Sequence, residues 1–194
     1  MRRSKTIKMF LLDGCPHGSL SIEIMNWTGQ IFVTPRSQLP TILAKQDFHR
    51  TGLYFLFGHI QEYAQKTAIY VGESDHVANR LAKHNQTLDN TWDRVCIITS
   101  KDKNLTKSHV KYLESQLIFH VLNTQSILML NKATPKFDSL PDSDLADMDL
   151  FLEHILTVLP LLNIHLPASA DHHEPDPHCF QPTTHKPFDI LRTA

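Results

Sequence analysis

Short apolar segments broken by turn-forming residues run through the first third of the chain. Ile7 to Leu12 predicts one strand, and Ser19 to Val33 predicts one or two more, interrupted near Trp27-Thr28-Gly29. Between them, Asp13 to Gly18 has the Asp, Gly and Pro content of a turn. The pattern predicts a β-rich N-terminal extension over residues 1–48.

Two further apolar runs, Thr51 to Gly58 and Thr67 to Gly72, contain the aromatic and β-branched residues that are typical of buried strands. The polar connection between them, His59 to Lys66, favours a hairpin. Trp92 to Ser100 predicts a third strand of the same kind.

Helical spacing of apolar residues follows each of these strands. A short helix is predicted over His76 to His84, with Ser74 as its candidate N-cap. A long helix is predicted after the third strand, capped by Asn104 or Thr106, with Glu114 in its middle. Its apolar positions are Val110, Leu113, Leu117 and Val121.

A final helix and a tail complete the pattern. Ser143 is the candidate cap of a helix that continues through Leu159 and ends at Pro160. Residues 164–194 are rich in Pro and His and poor in apolar clusters, so little buried area can offset the entropy of ordering them. We therefore expect a Pro/His-rich, flexible tail.

Composition narrows the class of protein only slightly. The chain has 194 residues with 19 Lys+Arg against 20 Asp+Glu, so it lacks the strong positive charge of non-specific nucleic-acid binders. The three cysteines are odd in number and far apart, and no apolar signal segment follows Met1, which favours a reducing, cytoplasmic setting. No apolar run approaches the roughly 18 residues of a membrane span.

Four short motifs, two on predicted strands and two on the predicted helices, follow one another in a characteristic order. Gly52-Leu53-Tyr54 lies in the first hairpin strand, Tyr70-Val71-Gly72 in the second, Arg80 to His84 in the short helix and Glu114 in the long one. This order resembles the GIY-YIG nuclease family, and the resemblance extends over roughly Ile7 to Leu162, as in a bacterial subfamily with a β-rich N-terminal extension. Leucine and valine stand where the family's tripeptides have isoleucine, and the segment between them is longer than usual.

The resemblance implies an α/β (α+β) fold with a three-stranded antiparallel sheet flanked by helices. The catalytic domain would span residues 49–163, including the C-terminal helix. The implied activity is that of a metal-dependent endonuclease, which hydrolyses phosphodiester bonds in DNA with the help of Mg²⁺ or Mn²⁺.

The resemblance also implies roles for the charged residues. Glu114 would hold the cation, because Mg²⁺ prefers oxygen ligands and keeps several of its waters. Arg80 would clamp the scissile phosphate, since a guanidinium stays charged and bonds two oxygens at once.

The remaining candidates would handle water and protons. Tyr54 would orient or deprotonate the attacking water, for which a phenol needs a nearby positive charge such as that of Arg80. His84, four residues after Arg80 on the same helical face, would position the water or relay a proton. Tyr70 would support the phosphate or a water. The family's asparagine after the metal-binding helix corresponds best to Asn131, with Asn123 as the alternative.

Several alternatives stay open at this point. A single tyrosine on a strand is usually a packing residue, and Glu73 would repel phosphate unless a cation compensates it or it faces away. Trp27 and Phe32 are candidates for exposed aromatic residues, or they extend the core. A basic stripe is equally well explained as a solvated turn; it comprises Lys101, Lys103, Lys107, His109 and Lys111.

The main alternative function is a catalytically silent module of the same fold that binds nucleic acid or a protein partner. The near-zero net charge and Glu73 favour it, whereas one polar combination favours the enzyme more strongly, namely Tyr54, Tyr70, Arg80, His84 and Glu114. In either case a homodimer or a partner protein would supply target recognition, because a fold and a catalytic centre do not encode substrate choice.

Overall fold

A computed structural model of the chain describes residues 4–59, 67–87, 92–124, 127–131, 139–164 and 166. Residues 60–66, which connect the two hairpin strands, and nearly all of the predicted Pro/His-rich tail lie outside these residues. Within the described ranges, no helix is long and apolar enough to cross a membrane.

The chain alternates strands and helices. The strands are β1 (Ile7–Leu11), β2 (Leu20–Ile24), β3 (Gly29–Pro35), β4 (Gly52–His59), β5 (Thr67–Ser74), β6 (Arg94–Ser100) and β7 (Ile127–Met129). The α-helices are α1 (Leu39–Leu43), α2 (Val77–Thr87), α3 (Lys107–Leu122) and α4 (Asp142–Val158). Short 3₁₀ turns cover Arg36–Gln38, Gln46–Phe48 and Leu159–Leu162. The predicted strands and the three predicted helices are all present, with ends shifted by a few residues.

The described strands form one mixed sheet of seven strands in the order β1-β2-β3-β6-β4-β5-β7. All neighbours are antiparallel except β5 and β7. The mixed α and β class is confirmed, but the expected three-stranded sheet is wrong. Its strands β6, β4 and β5 lie together within a larger sheet.

The sheet is larger because β3 pairs with β6 along its whole length, from Gly29 opposite Ser100 to Pro35 opposite Arg94. Both faces of β3 are apolar, so it is covered on both sides like an inner strand. The N-terminal strands therefore continue the sheet.

Trp27 and Phe32 belong to the core, so of the two alternatives the extension of the core is confirmed and exposure is not. The Trp27 ring lies 4.9 Å from that of Phe151 and is stacked on His154 at 5.4 Å. Phe32 meets Phe48 edge to face at 4.6 Å. Both aromatic residues are buried because α4 covers one face of the N-terminal strands and the segment before β4 covers the other.

Two apolar layers enclose the sheet, and β4 shows how its residues divide between them. Leu53, Phe55 and Phe57 pack in the layer that contains α3 and α4. Tyr54 and Leu56, which alternate with them, pack in the layer that contains α1 and α2. Side chains of β4 thus reach α2 on one side and α3 on the other.

The N-terminus of α3 is well capped, and that of α4 is not. The Thr106 hydroxyl accepts a hydrogen bond from the His109 amide, and the His109 ring accepts one from the Thr106 amide. Of the two candidate caps for this helix, Thr106 is the correct one. The prediction that Ser143 caps α4 is wrong, since that helix begins at Asp142 after Pro141, with no side-chain cap.

Replacement of the cap should therefore have a local and measurable cost. We expect Thr106→Ala to lower the free energy of unfolding by about 1 kcal/mol, because it leaves an amide of the first turn without its partner. Ser143→Ala, the control, should change it by less than about 0.5 kcal/mol, as surface substitutions do. Urea unfolding measures both; equal effects would contradict the assignment of the cap.

Candidate active site

Tyr54 lies across the hairpin opposite Gly72, which leaves room for the phenol ring because it has no side chain. In the register of β4 and β5, Tyr54 faces Gly72, and a Cβ atom added to Gly72 would overlap the Tyr54 ring and hydroxyl. Tyr54 is 0% exposed. The glycine of the second tripeptide therefore gives the tyrosine of the first its position.

The Tyr54 hydroxyl joins two residues of α2. It lies 2.9 Å from His84 Nε2 and accepts a hydrogen bond from Arg80 Nε at 3.4 Å. Arg80 and His84 are four residues apart on α2, so they point to the same side of the helix. Because a guanidinium can only donate, the hydroxyl proton of Tyr54 is available for His84 Nε2. We call these three residues the Tyr54 cluster.

Charges in the Tyr54 cluster fit this direction of hydrogen bonding. Burial and the charge of Arg80 lower the pKa of His84, which keeps the imidazole neutral and able to accept. Burial raises the pKa of Tyr54 and outweighs the opposing hydrogen bond from Arg80. The expected positive charge thus lies beside Tyr54, but the phenol stays protonated at neutral pH.

Tyr70 completes a group of three rings. Its ring centroid lies 6.2 Å from that of Tyr54 and 5.4 Å from that of His84. Unlike Tyr54, Tyr70 is only half-buried. The pKa of Arg80 is raised, chiefly by the hydrogen bond with Tyr54, and Tyr70 makes a smaller contribution in the same direction. Tyr70 is therefore the tyrosine of the pair that solvent can reach.

Glu114 reaches the same region from α3, on the other side of the sheet. Glu114 is 8% exposed, and no hydrogen bond or ion pair to its carboxylate occurs within the described residues. Burial, and then the charge of Glu73, raise the pKa of Glu114 to about 7, against the opposing charges of Lys107, Arg80 and Lys111. Arg80 therefore acts electrostatically on Glu114 as well as bonding to Tyr54.

Asn131 closes the edge of β5 between Tyr70 and Gly72. Its Oδ1 accepts a hydrogen bond from the Val71 amide at 2.9 Å, and its Nδ2 donates to the Val71 carbonyl at 2.7 Å. The side chain continues the pairing that β7 makes with β5 up to Ile69. Asn123, the alternative, ends α3 by bonding the Phe119 carbonyl. Of the two asparagines, Asn131 is the one next to the candidate residues.

Acidic partners interrupt the predicted basic stripe. Lys107 Nζ lies 2.5 Å from Glu73 and 3.5 Å from Asp75, so Glu73 is not a free carboxylate. Elsewhere in the stripe, Lys101 pairs with Glu23 at 2.7 Å and His109 with Asp144 at 3.1 Å. These pairs leave little net positive charge along the start of α3.

The pairing of Lys107 with Glu73 was not anticipated from the sequence. One signal was available: Lys107 precedes Glu114 by seven residues, which places both on one side of α3 two turns apart. The partner on β5 could not be identified in this way, because it depends on how the helix packs on the sheet.

The donor set near Glu114 fits a hard cation with few protein ligands. Among the described residues there is no group of three or more His, Cys, Asp or Glu that could hold a metal ion. Mg²⁺ commonly binds through one or two carboxylates and keeps waters or phosphate oxygens for its other positions. Glu114, a buried carboxylate with no partner in the described part of the chain, meets that requirement.

Comparisons with family models, curated proteins and solved structures found no match to this chain. Function has to be inferred from the side chains and their geometry.

Asn131→Ala should loosen the edge of β5 at the site. Both backbone groups of Val71 lose their partner, so we expect the free energy of unfolding to fall by about 1–3 kcal/mol. Exchange of the Val71 amide hydrogen, followed by NMR, should become at least about tenfold faster. Asn123→Ala is the matched control, and it should leave Val71 exchange unchanged. If the Val71 amide stays equally protected in Asn131→Ala, the two hydrogen bonds from Asn131 do not stabilise the edge of β5.

Glu114→Gln should stabilise the metal-free protein, and more so at high pH. The folded-state pKa of Glu114 is about 7, raised from 4.5. The fold therefore favours the protonated carboxyl, and its contribution to the free energy of unfolding is fully present below pH 4.5 and is lost as the pH rises through 7. Glutamine avoids this loss, so the gain should grow by on the order of 2 kcal/mol between pH 5 and pH 8 in EDTA.

Glu153→Gln serves as the control for this measurement. Its hydrogen bond to Lys5 lowers the pKa of Glu153, so its ionisation is complete across the same pH range. Its effect on the denaturation midpoint should be the same at pH 5 and pH 8. A pH-independent effect of Glu114→Gln would contradict the raised pKa.

Proposed function

We propose that this protein is a metal-dependent endonuclease that hydrolyses phosphodiester bonds in DNA through a GIY-YIG-like active site. The observation that carries the proposal is the bonded Tyr54 cluster together with the buried Glu114, which has no bonding partner among the residues that the structure describes. Packing alone does not require an arginine, a neutral histidine and a lone carboxylate around two tyrosines.

Hydrolysis of a phosphodiester makes four demands on the protein. A water must lose a proton, the phosphate must be held in line, the extra negative charge of the transition state must be stabilised, and the leaving oxygen must receive a proton. Residues of the site carry out the first three of these tasks, and the leaving oxygen takes its proton from solvent water.

Arg80 binds the phosphate. The hydrogen bond to Tyr54 uses its Nε, which fixes the direction of the guanidinium and leaves the two terminal nitrogens for phosphate oxygens. Arg80 is exposed on α2. A fixed donor pair is worth most in the transition state, where the phosphate oxygens carry the most charge.

The three rings handle the proton. Tyr54 is buried and protonated, so it acts as a positioning residue that holds Arg80 and donates to His84. His84 is neutral and its Nε2 accepts the Tyr54 proton, so proton uptake passes through the Tyr54 hydroxyl, which gives its own proton to His84 as it receives one from the water. Tyr70 is half-buried and is the tyrosine that can orient the attacking water or a phosphate oxygen.

Glu114 is the protein ligand for Mg²⁺ or Mn²⁺. A bound cation would stabilise charge on the phosphate and lower the pKa of a coordinated water. Binding requires the ionised carboxylate, and the positive charges of Lys107, Arg80 and Lys111 favour that form. Burial opposes it, so the unpaired carboxylate gains stability when a cation neutralises it.

Contacts to the rest of the nucleic acid are expected from cations around the site. Lys83 is exposed on α2 close to Arg80. A cleft of about 300 Å³ opens near the start of β4 and the end of β5, and Arg50 and Lys103 are among its lining residues. With a net charge of −1, binding would be modest, and target selection would come from a second copy or a partner protein.

Cleavage assays with Mg²⁺ test this function. On supercoiled, branched and single-stranded DNA, Glu114→Ala should abolish cleavage, because the cation loses its ligand. Arg80→Ala should lower the single-turnover rate at saturating protein by at least about two orders of magnitude, as for loss of a transition-state charge partner. Arg80→Lys should recover little of that loss, since an ammonium cannot bond two oxygens in the same plane.

Lys83→Ala is the control for Arg80→Ala, since it removes the same charge from the same helix. It should change the DNA concentration needed for saturation rather than the saturated rate. EDTA should stop cleavage by the natural protein. Binding of DNA without any metal-dependent cleavage would instead favour a catalytically silent nucleic-acid-binding module.

A further inference from the structure

A second carboxylate, Glu73, lies on the α3 side of the sheet close to Glu114. On β5, Ile69 and Val71 pack in the layer of α3, and Glu73 is the next residue of the same alternation. Its side chain is only 14% exposed. Its charge is the second largest cause of the raised pKa of Glu114, after burial.

Lys107 places a positive charge between carboxylates at this position. Its Nζ lies 2.5 Å from Glu73 Oε2 and 3.5 Å from Asp75 Oδ2. Lys107 is the first residue of α3, where the helix dipole disfavours a cation. The carboxylates therefore hold the ammonium there, and its 42% exposed side chain can withdraw into solvent on a flexible stem.

We propose that Glu73 is a second carboxylate ligand of the divalent cation bound by Glu114, and that the Lys107 ammonium occupies the cation's side of Glu73 in the metal-free protein. The inference rests on the metal dependence proposed above, but not on cleavage. Arrival of the cation exchanges one positive partner of Glu73 for another.

Charge balance supports this exchange. Without Lys107, Glu73 and Glu114 would face each other as two partly buried negative charges, which is costly. A divalent cation neutralises both carboxylates, whereas the ammonium neutralises only the one it bonds. Once released, the ammonium lies next to the metal site, where it can bond a phosphate oxygen of bound nucleic acid.

Direct Mn²⁺ binding to the full chain, measured by titration calorimetry without nucleic acid, separates a ligand from a simple ion pair. Lys107→Met removes the competing ammonium and should tighten binding by about tenfold. The double variant Glu73→Gln, Lys107→Met removes a neutral pair. It should nevertheless weaken binding by about tenfold or more relative to the natural protein, because a ligand is lost.

The matched control is the pair of Lys101 and Glu23, which has a lysine of the same 42% exposure and a separation of 2.7 Å. The double variant Glu23→Gln, Lys101→Met should leave Mn²⁺ binding unchanged. If the Glu73, Lys107 double variant binds Mn²⁺ as tightly as the natural protein, Glu73 is only an ion-pair partner and the inference is overturned.

A measurement on the unaltered protein covers the case in which a variant does not fold. With carbon-13 in the glutamate carboxyl groups, Mg²⁺ titration should shift the Glu73 and Glu114 signals together, at the same metal concentrations. A shift of Glu114 alone overturns the role of Glu73 and leaves the proposed function standing. A shift of neither, with no Mn²⁺ binding, overturns both.

Discussion

Tyr54 can lie across the hairpin only because Gly72, opposite it in the neighbouring strand, has no side chain. That contact sets the height of the phenol above the sheet and therefore the place where its hydroxyl meets α2. Arg80 and His84 both bond to this hydroxyl. The bond with Tyr54 fixes the direction of the Arg80 guanidinium, and the hydroxyl proton is directed at Nε2 of the His84 imidazole. Any shift of β4 against β5 by one residue would put Tyr54 in the opposite layer.

The polar groups lie at the margin of a sheet that is apolar on both faces. The centre of the sheet, from β3 to β4, is buried between two apolar layers. At β5 the pairing with β7 ends at Ile69. The charge of Arg80, on the α2 side of the sheet, acts on Glu114 of α3.

Local patterns in the sequence were enough to predict the hairpin, the third strand and the helices that carry Arg80 and Glu114. Pairing of strands far apart in the chain could not be predicted, since partners in β3 and β6 are 59 to 71 residues apart and nothing in either strand specifies its partner. The same limit hid the bond between Lys107 and Glu73, whose positions are related only through the packing of α3. The choice of Ser143 as a cap failed for another reason, because Pro141 already begins the turn.

The candidate residues could be identified from their order along the chain. Their exposure and their pKa values could not, because these depend on the folded structure. Two tyrosines in similar tripeptides differ in exposure, since Tyr54 faces α2 beneath the other rings and Tyr70 lies nearer the edge. Burial also changes the pKa of Tyr54 from that of a free tyrosine. It keeps the phenol protonated although Arg80 lies beside it.

The pairing of β3 with β6 limits how this protein can be divided or transplanted. A fragment beginning at residue 49 would carry every candidate residue, yet it would expose the full hydrogen-bonding edge of β6 and the apolar residues that β3 covers. Such an edge attracts other chains. Residues 49–163 should therefore be transferred to a fusion protein only together with the first three strands.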